Sequence, residues 1–122
     1  MLQLTPSTDQ VLFQGDVFSL TCRVPSSVYH VIWYHDEQRF LADRSSGELH
    51  QNYRDPDRDD GVISTVRLER LRPRHSGNWT CDARTSLTHV SRSVCRSLTY
   101  RRAEKWSVFY CESVEFDGYF TR

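Results

Sequence analysis

The residues of this chain equipped for chemistry are four cysteines, five histidines and a short run of acids. Cys22, Cys81, Cys95 and Cys111 are even in number, and no Cys-x-x-Cys or Cys/His spacing suited to zinc accompanies them. They therefore read as disulfides made in an oxidising compartment, not as nucleophiles or metal ligands. His30, His35, His50, His75 and His89 show no metal or catalytic spacing. His75 precedes Ser76, but without the Gly-x-Ser-x-Gly elbow that exposes a nucleophile. With no nucleophile, base and orienting group in one pattern, the chain reads as non-catalytic, without cofactor or metal.

Asp55-Pro56-Asp57-Arg58-Asp59-Asp60-Gly61 sets acids at alternate positions, as a calcium loop does. Its glycine comes one place late, and Val66 stands where the closing glutamate belongs, so a solvated loop is expected. Asn78-Trp79-Thr80 is an acceptor sequon for an N-linked glycan; if Trp79 points inward on a strand, Asn78 points out. Between positions 82 and 105, Arg84, Arg92, Arg96, Arg101, Arg102 and Lys105 are opposed only by Asp82 and Glu104. Guanidinium forks suit carboxylate and sulfate, so this stretch is expected to form one surface for an anionic partner, an acidic protein face or a sulfated glycan. Arg92 and Arg96 share a strand face with each other, and on unbroken alternation with Val90 and Val94 too. Which set faces the core stays open.

The elements that must position these groups are strands. The 122 residues suffice for one domain, carry no net charge and include no apolar run long enough to span a bilayer, which argues against a nucleic-acid binder or a membrane-inserted segment. The opening ten residues lack the apolar core of a signal peptide, so the chain is expected to be a piece of a longer ectodomain. Leu2 to Phe13 alternates loosely around Pro6, as an interrupted edge strand does. Phe18, Leu20 and Cys22 share one face of the next strand, and Val31 and Trp33 face the core from His30–His35. From Asp36 to Asp60 the expectation is a short strand near Arg39–Ala42 and then irregular chain. Val62–Leu71, Gly77–Arg84 and Thr88–Leu98 read as three further strands, with Val66 and Leu68 in the core.

Leu68-x-x-Leu71, a turn, then Ser76-Gly77-x-Trp79-x-Cys81, with Cys22 and Trp33 upstream, resembles an immunoglobulin domain. The resemblance implies an all-β, two-sheet antiparallel sandwich of the intermediate type, with Trp33 packed over a Cys22–Cys81 bridge. Trp33, Leu68 and Trp79 are its core signature, Trp79 standing where such domains carry a corner tyrosine. By exclusion, Cys95 is expected to pair with Cys111, tethering a C-terminal extension. The domain is expected over residues 1–98 and the extension over 99–122, a candidate start of a following extracellular module.

Leu2–Asp16, Val31–Gln38 and Ser76–Ser86 are further similar to the immunoglobulin domain of the group A adhesion G-protein-coupled receptors. In that family the domain is extracellular, between leucine-rich repeats and a hormone-receptor motif. The resemblance implies a non-catalytic binding or adhesion module of a cell-surface receptor, contributing to ligand or co-receptor recognition. Its partner would be a cell-surface or secreted protein or a sulfated glycan, and the isolated domain a monomer. The alternatives are a spacer orienting its neighbours, or a homophilic adhesion domain using exposed aromatics on one face, for which Tyr34, Phe40 and Tyr53 are candidates.

Overall fold

A computed structural model describes residues 3–5, 10–24, 26, 27, 29–84, 92–103 and 106–114. Ten strands follow in order: β1 (Gln3–Thr5), β2 (Gln10–Phe13), β3 (Phe18–Val24), β4 (His30–His35), β5 (Gln38–Arg39), β6 (Glu48–Arg54), β7 (Val62–Leu68), β8 (Gly77–Arg84), β9 (Arg92–Ala103) and β10 (Trp106–Val114). They form a four-stranded sheet, β1-β3-β7-β6, and a six-stranded sheet, β2-β10-β9-β8-β4-β5. All pairings are antiparallel. The first strand is thus split between the sheets, β1 on one and β2 on the other, on either side of Pro6.

The core lies between the sheets. Phe18, Leu20, Cys22 and Val24 alternate inward from β3, Val66 and Leu68 from β7, and Trp79, Cys81 and Ala83 from β8, around Trp33, which is 1% exposed. Cys22 and Cys81 are joined by a disulfide across the two sheets. The Trp33 Nε1 donates to Ser64 Oγ at 2.9 Å, so its single polar atom is satisfied inside the core. Val31 packs at the core margin.

Two turns show local chemistry directing the fold. Asp36 and Glu37, with φ of 50° and 67°, form the two-residue loop between β4 and β5, whose left-handed backbone matches strand twist. Gly77, with φ of 127°, opens β8; a β-carbon there would collide with the Asp36 carboxylate, whose Oδ1 accepts the Asn78 N–H at 2.8 Å.

Three expectations need correcting. The stretch expected to be irregular contains β6, a full seven-residue strand. It is an edge strand on which only Glu48 is buried, so no apolar period marks it. The strand expected to end at Leu98 runs to Ala103, and the residues after it return as β10, inserted between β9 and β2. A boundary at Leu98 would cut through β9. Finally, the register sets Cys95 opposite Val114 and Cys111 opposite Leu98. The two cysteines stand three ladder positions apart, about 10 Å along the strands at roughly 3.4 Å per residue. That exceeds the Cα separation of about 7 Å that a disulfide tolerates, and an odd offset puts the two on opposite faces. Their side chains lie outside the described residues, but the expected Cys95–Cys111 bond does not fit this backbone.

Candidate functional site

The corner between β7 and β8 gathers titratable groups around one buried imidazole. Pro73–His75 makes a single 3₁₀ turn, Pro73 supplying the fixed φ that suits its start. His75, 2% exposed, accepts the Arg72 N–H at Nδ1 (3.0 Å), which places its proton on Nε2. That proton is donated to Glu48 Oε2 at 2.8 Å. Glu48 begins β6 and is itself buried; its Oε1 accepts the Asp43 N–H at 3.1 Å, and Arg74 lies 3.3 Å from Oε2. Burial pulls the His75 pKa below the ordinary imidazole value, against the opposing attraction of Glu48. The ring is therefore neutral in the fold.

His35 stacks on Trp79, ring centroids 4.3 Å apart, and its ring nitrogen meets the Ser76 carbonyl at 2.7 Å. Phe40 meets Trp79 edge-on at 4.9 Å, and the Trp79 Nε1 donates to the His75 carbonyl at 2.9 Å. The Ser76 hydroxyl donates to the Pro73 carbonyl at 2.6 Å, so it is committed to the turn and is no partner of the His75 imidazole. An open cleft of about 320 Å³, lined among others by His35, Arg39, Phe40, Arg74 and His75, lies against this corner. Both His75 nitrogens are engaged by backbone and carboxylate. The arrangement braces β4, β6 and β8 against one another; it offers no free base beside a nucleophile.

The other residues that the sequence singles out are dispersed. Asn78 is exposed while Trp79 and Cys81 are buried, the geometry expected for the sequon. The acids of the β6–β7 turn are only partly solvated. Asp55 is 1% exposed and accepts the Asp57 N–H at 2.9 Å, Arg23 pairs with Asp57 at 3.2 Å, and Asp60 accepts the hydroxyls of Ser26 (2.8 Å) and Ser27 (2.6 Å). These bonds hold the Asp60 carboxyl below its ordinary pKa, the Ser27 hydroxyl first and the Ser26 hydroxyl second. The acids thus pin the loop to β3 and its following turn.

Among the basic residues, exposed Arg84 pairs with Asp82 at 2.9 Å. Arg92 stands opposite Ala83, Arg96 opposite Trp79, Arg101 opposite Val108 and Arg102 opposite Ser107. Val94 stands opposite Cys81, so the even-numbered positions of β9, arginines and valine together, take the register of the core residues of β8. The side chains of these four arginines lie outside the described residues, so the expected basic surface is left as an expectation. Lys105 lies outside the described residues. The expected aromatic face does not form among the described residues: Phe40 packs on Trp79, Tyr34 is half-buried, and Tyr53, 49% exposed, sits on the other sheet. Glu48 is the member of the corner that the sequence concealed, since it lies 27 positions from His75 in a stretch without apolar period.

The immunoglobulin domain family model matches residues 2–85. The chain belongs to the immunoglobulin domain family. It is 29% identical over 99 residues to the adhesion G protein-coupled receptor A3 of Danio rerio, an overlap of 75% of this chain. The chain spans only 7% of that receptor's length. Among solved structures it is similar to a twitchin kinase fragment of C. elegans containing an autoregulated protein kinase and immunoglobulin domains. That similarity has a TM-score of 0.52 at 14% identity and covers 75% of this chain and 20% of the fragment. At that identity it speaks to the immunoglobulin-like fold alone.

Proposed function

We propose that this chain is an extracellular recognition module of a cell-surface receptor, acting by binding a protein partner and carrying out no reaction itself. The similarity to an adhesion receptor over 99 residues carries this reading. Two structural features support it. The Cys22–Cys81 disulfide suits an oxidising compartment, and Asn78 stands exposed in a sequon that secretory enzymes modify. The partner is a cell-surface or secreted protein, in keeping with the similarity to an adhesion receptor.

The test is binding of the labelled, oxidised domain to a panel of cells, half of each treated with protease and half with heparinase. Saturable binding that protease removes and heparinase spares is the expected result. Binding removed by heparinase, and falling steeply with salt, would transfer the site to a sulfated glycan. Absence of saturable binding across the panel would leave the domain a spacer between its neighbours and overturn the proposal.

A further inference from the structure

The four-stranded sheet ends in β6, which pairs only with β7 among the described residues. At seven residues it is longer than the other terminal strands, β1 with three, β2 with four and β5 with two. Its sequence, ELHQNYR, has no proline and no lysine, two of the devices that usually prevent an edge from pairing.

The hydrogen-bond phase of this edge can be read from its two ends. Glu69 N–H donates to the Gly47 carbonyl at 2.8 Å, and Asp55 N–H donates to the Gly61 carbonyl at 2.9 Å. Both bonds continue the β6–β7 register, so the odd-numbered residues Leu49, Gln51 and Tyr53 direct their backbone groups to β7. The even-numbered residues direct theirs outward. The Glu48 N–H is taken by the Asp43 carbonyl at 3.0 Å, which leaves His50, Asn52 and Arg54 presenting backbone donors and acceptors along an open edge.

We infer that this edge docks the same edge of a second copy, antiparallel, about a two-fold axis through Gln51. The strand is self-complementary in that register. His50 faces Asn52 of the second copy, and because both present their backbone groups outward they form a bonded pair, repeated by the two-fold. Leu49 faces Tyr53, an aliphatic–aromatic cross-strand pair on the exposed face, where Tyr53 is 49% exposed. Glu48 stands opposite Arg54 at each end, but its carboxylate is buried against His75 and Arg74 and so adds no ion pair across the seam. Gln51 faces itself at the centre, in the closer, non-bonded type of pair, with α-carbons about 4.5 Å apart. The result is an eight-stranded sheet continuous across two domains, against the monomer expected from the sequence. This inference does not depend on the receptor reading.

Sedimentation of the chain over a concentration series tests it, with three variants. The expected result is a mass rising from 14.4 kDa toward twice that value. Asn52→Pro removes an outward N–H without touching the β6–β7 ladder and should leave a folded monomer. Gln51→Lys and Gln51→Glu each set like charges opposite one another and should weaken association by about five-fold, whereas an equimolar mixture of the two should restore or exceed native association. This charge exchange keeps the test decisive if Asn52→Pro fails to fold. A native chain that stays monomeric at all concentrations, or a dimer insensitive to the Gln51 exchange, would overturn the inference.

Discussion

The Trp79 indole nitrogen reaches back to the carbonyl of His75, 2.9 Å away and four residues upstream, and so makes with a tryptophan the bond that a corner tyrosine makes with its hydroxyl. The ring is fully buried, so its N–H has no water to turn to. Trp79→Phe should keep most of the packing against His35 and Phe40 but leave the His75 carbonyl without this donor. A loss of about 1 to 3 kcal/mol in urea unfolding is expected. A variant as stable as the native chain would show that the bond contributes nothing to the corner.

Trp33→Ala removes a fully buried side chain beside the Cys22–Cys81 bridge together with its bond to Ser64. The expected cost is about 3 to 5 kcal/mol, against a total stability of roughly 5 to 15 kcal/mol for domains of this size. Substituting exposed Arg39 or Glu69 should shift the unfolding midpoint far less. Equal effects at core and surface positions would place Trp33 outside the core.

Much of this core was legible in the sequence because alternation reports burial directly: Phe18, Leu20 and Cys22 on β3, Val66 and Leu68 on β7, Trp79 and Cys81 on β8. β6 escaped because an edge strand buries too little to show a period. β10 escaped because an immunoglobulin sandwich is already complete without it, so WSVFYCESV had no vacancy to fill until the register placed it between β9 and β2. The candidate site was less legible still. His75 and Trp79 were visible as corner residues, but Glu48 joins them only through β6, 27 positions from His75 in a stretch without apolar period.

Protonation of His75 should weaken the fold. Burial, the largest influence, lowers its pKa below the unfolded value of about 6.5, and Glu48, Arg74 and His35 are the charged or titratable groups around it. The unfolded chain then binds more protons in that range, so stability is complete above about pH 6.5 and falls as the pH drops through the window beneath it. His50, with a ring nitrogen 3.2 Å from Ser64 Oγ, is shifted in the same direction, chiefly by the desolvation of its ring. Urea midpoints measured from pH 7.5 to 5 should therefore decline, and His75→Gln should flatten part of the slope. A stability rising as the pH is lowered over this range would contradict the neutral, Nε2-protonated ring.

Peptide mapping without reduction should recover Cys22 linked to Cys81, and no peptide joining Cys95 directly to Cys111. Recovery of that second link would mean that β9 and β10 pair in a different register, shifted enough to bring the two α-carbons within about 7 Å.

The central claim, that recognition depends on the disulfide-framed sandwich, is tested most directly by cell-surface binding of one preparation of the chain before and after reduction and alkylation of its cysteines. The account predicts saturable binding by the oxidised chain, competed by unlabelled domain, and its loss once Cys22 and Cys81 are separated and the sheets no longer enclose Trp33. Equal binding by the unfolded, alkylated chain would contradict it, because adhesion would then belong to the sequence and not to the fold.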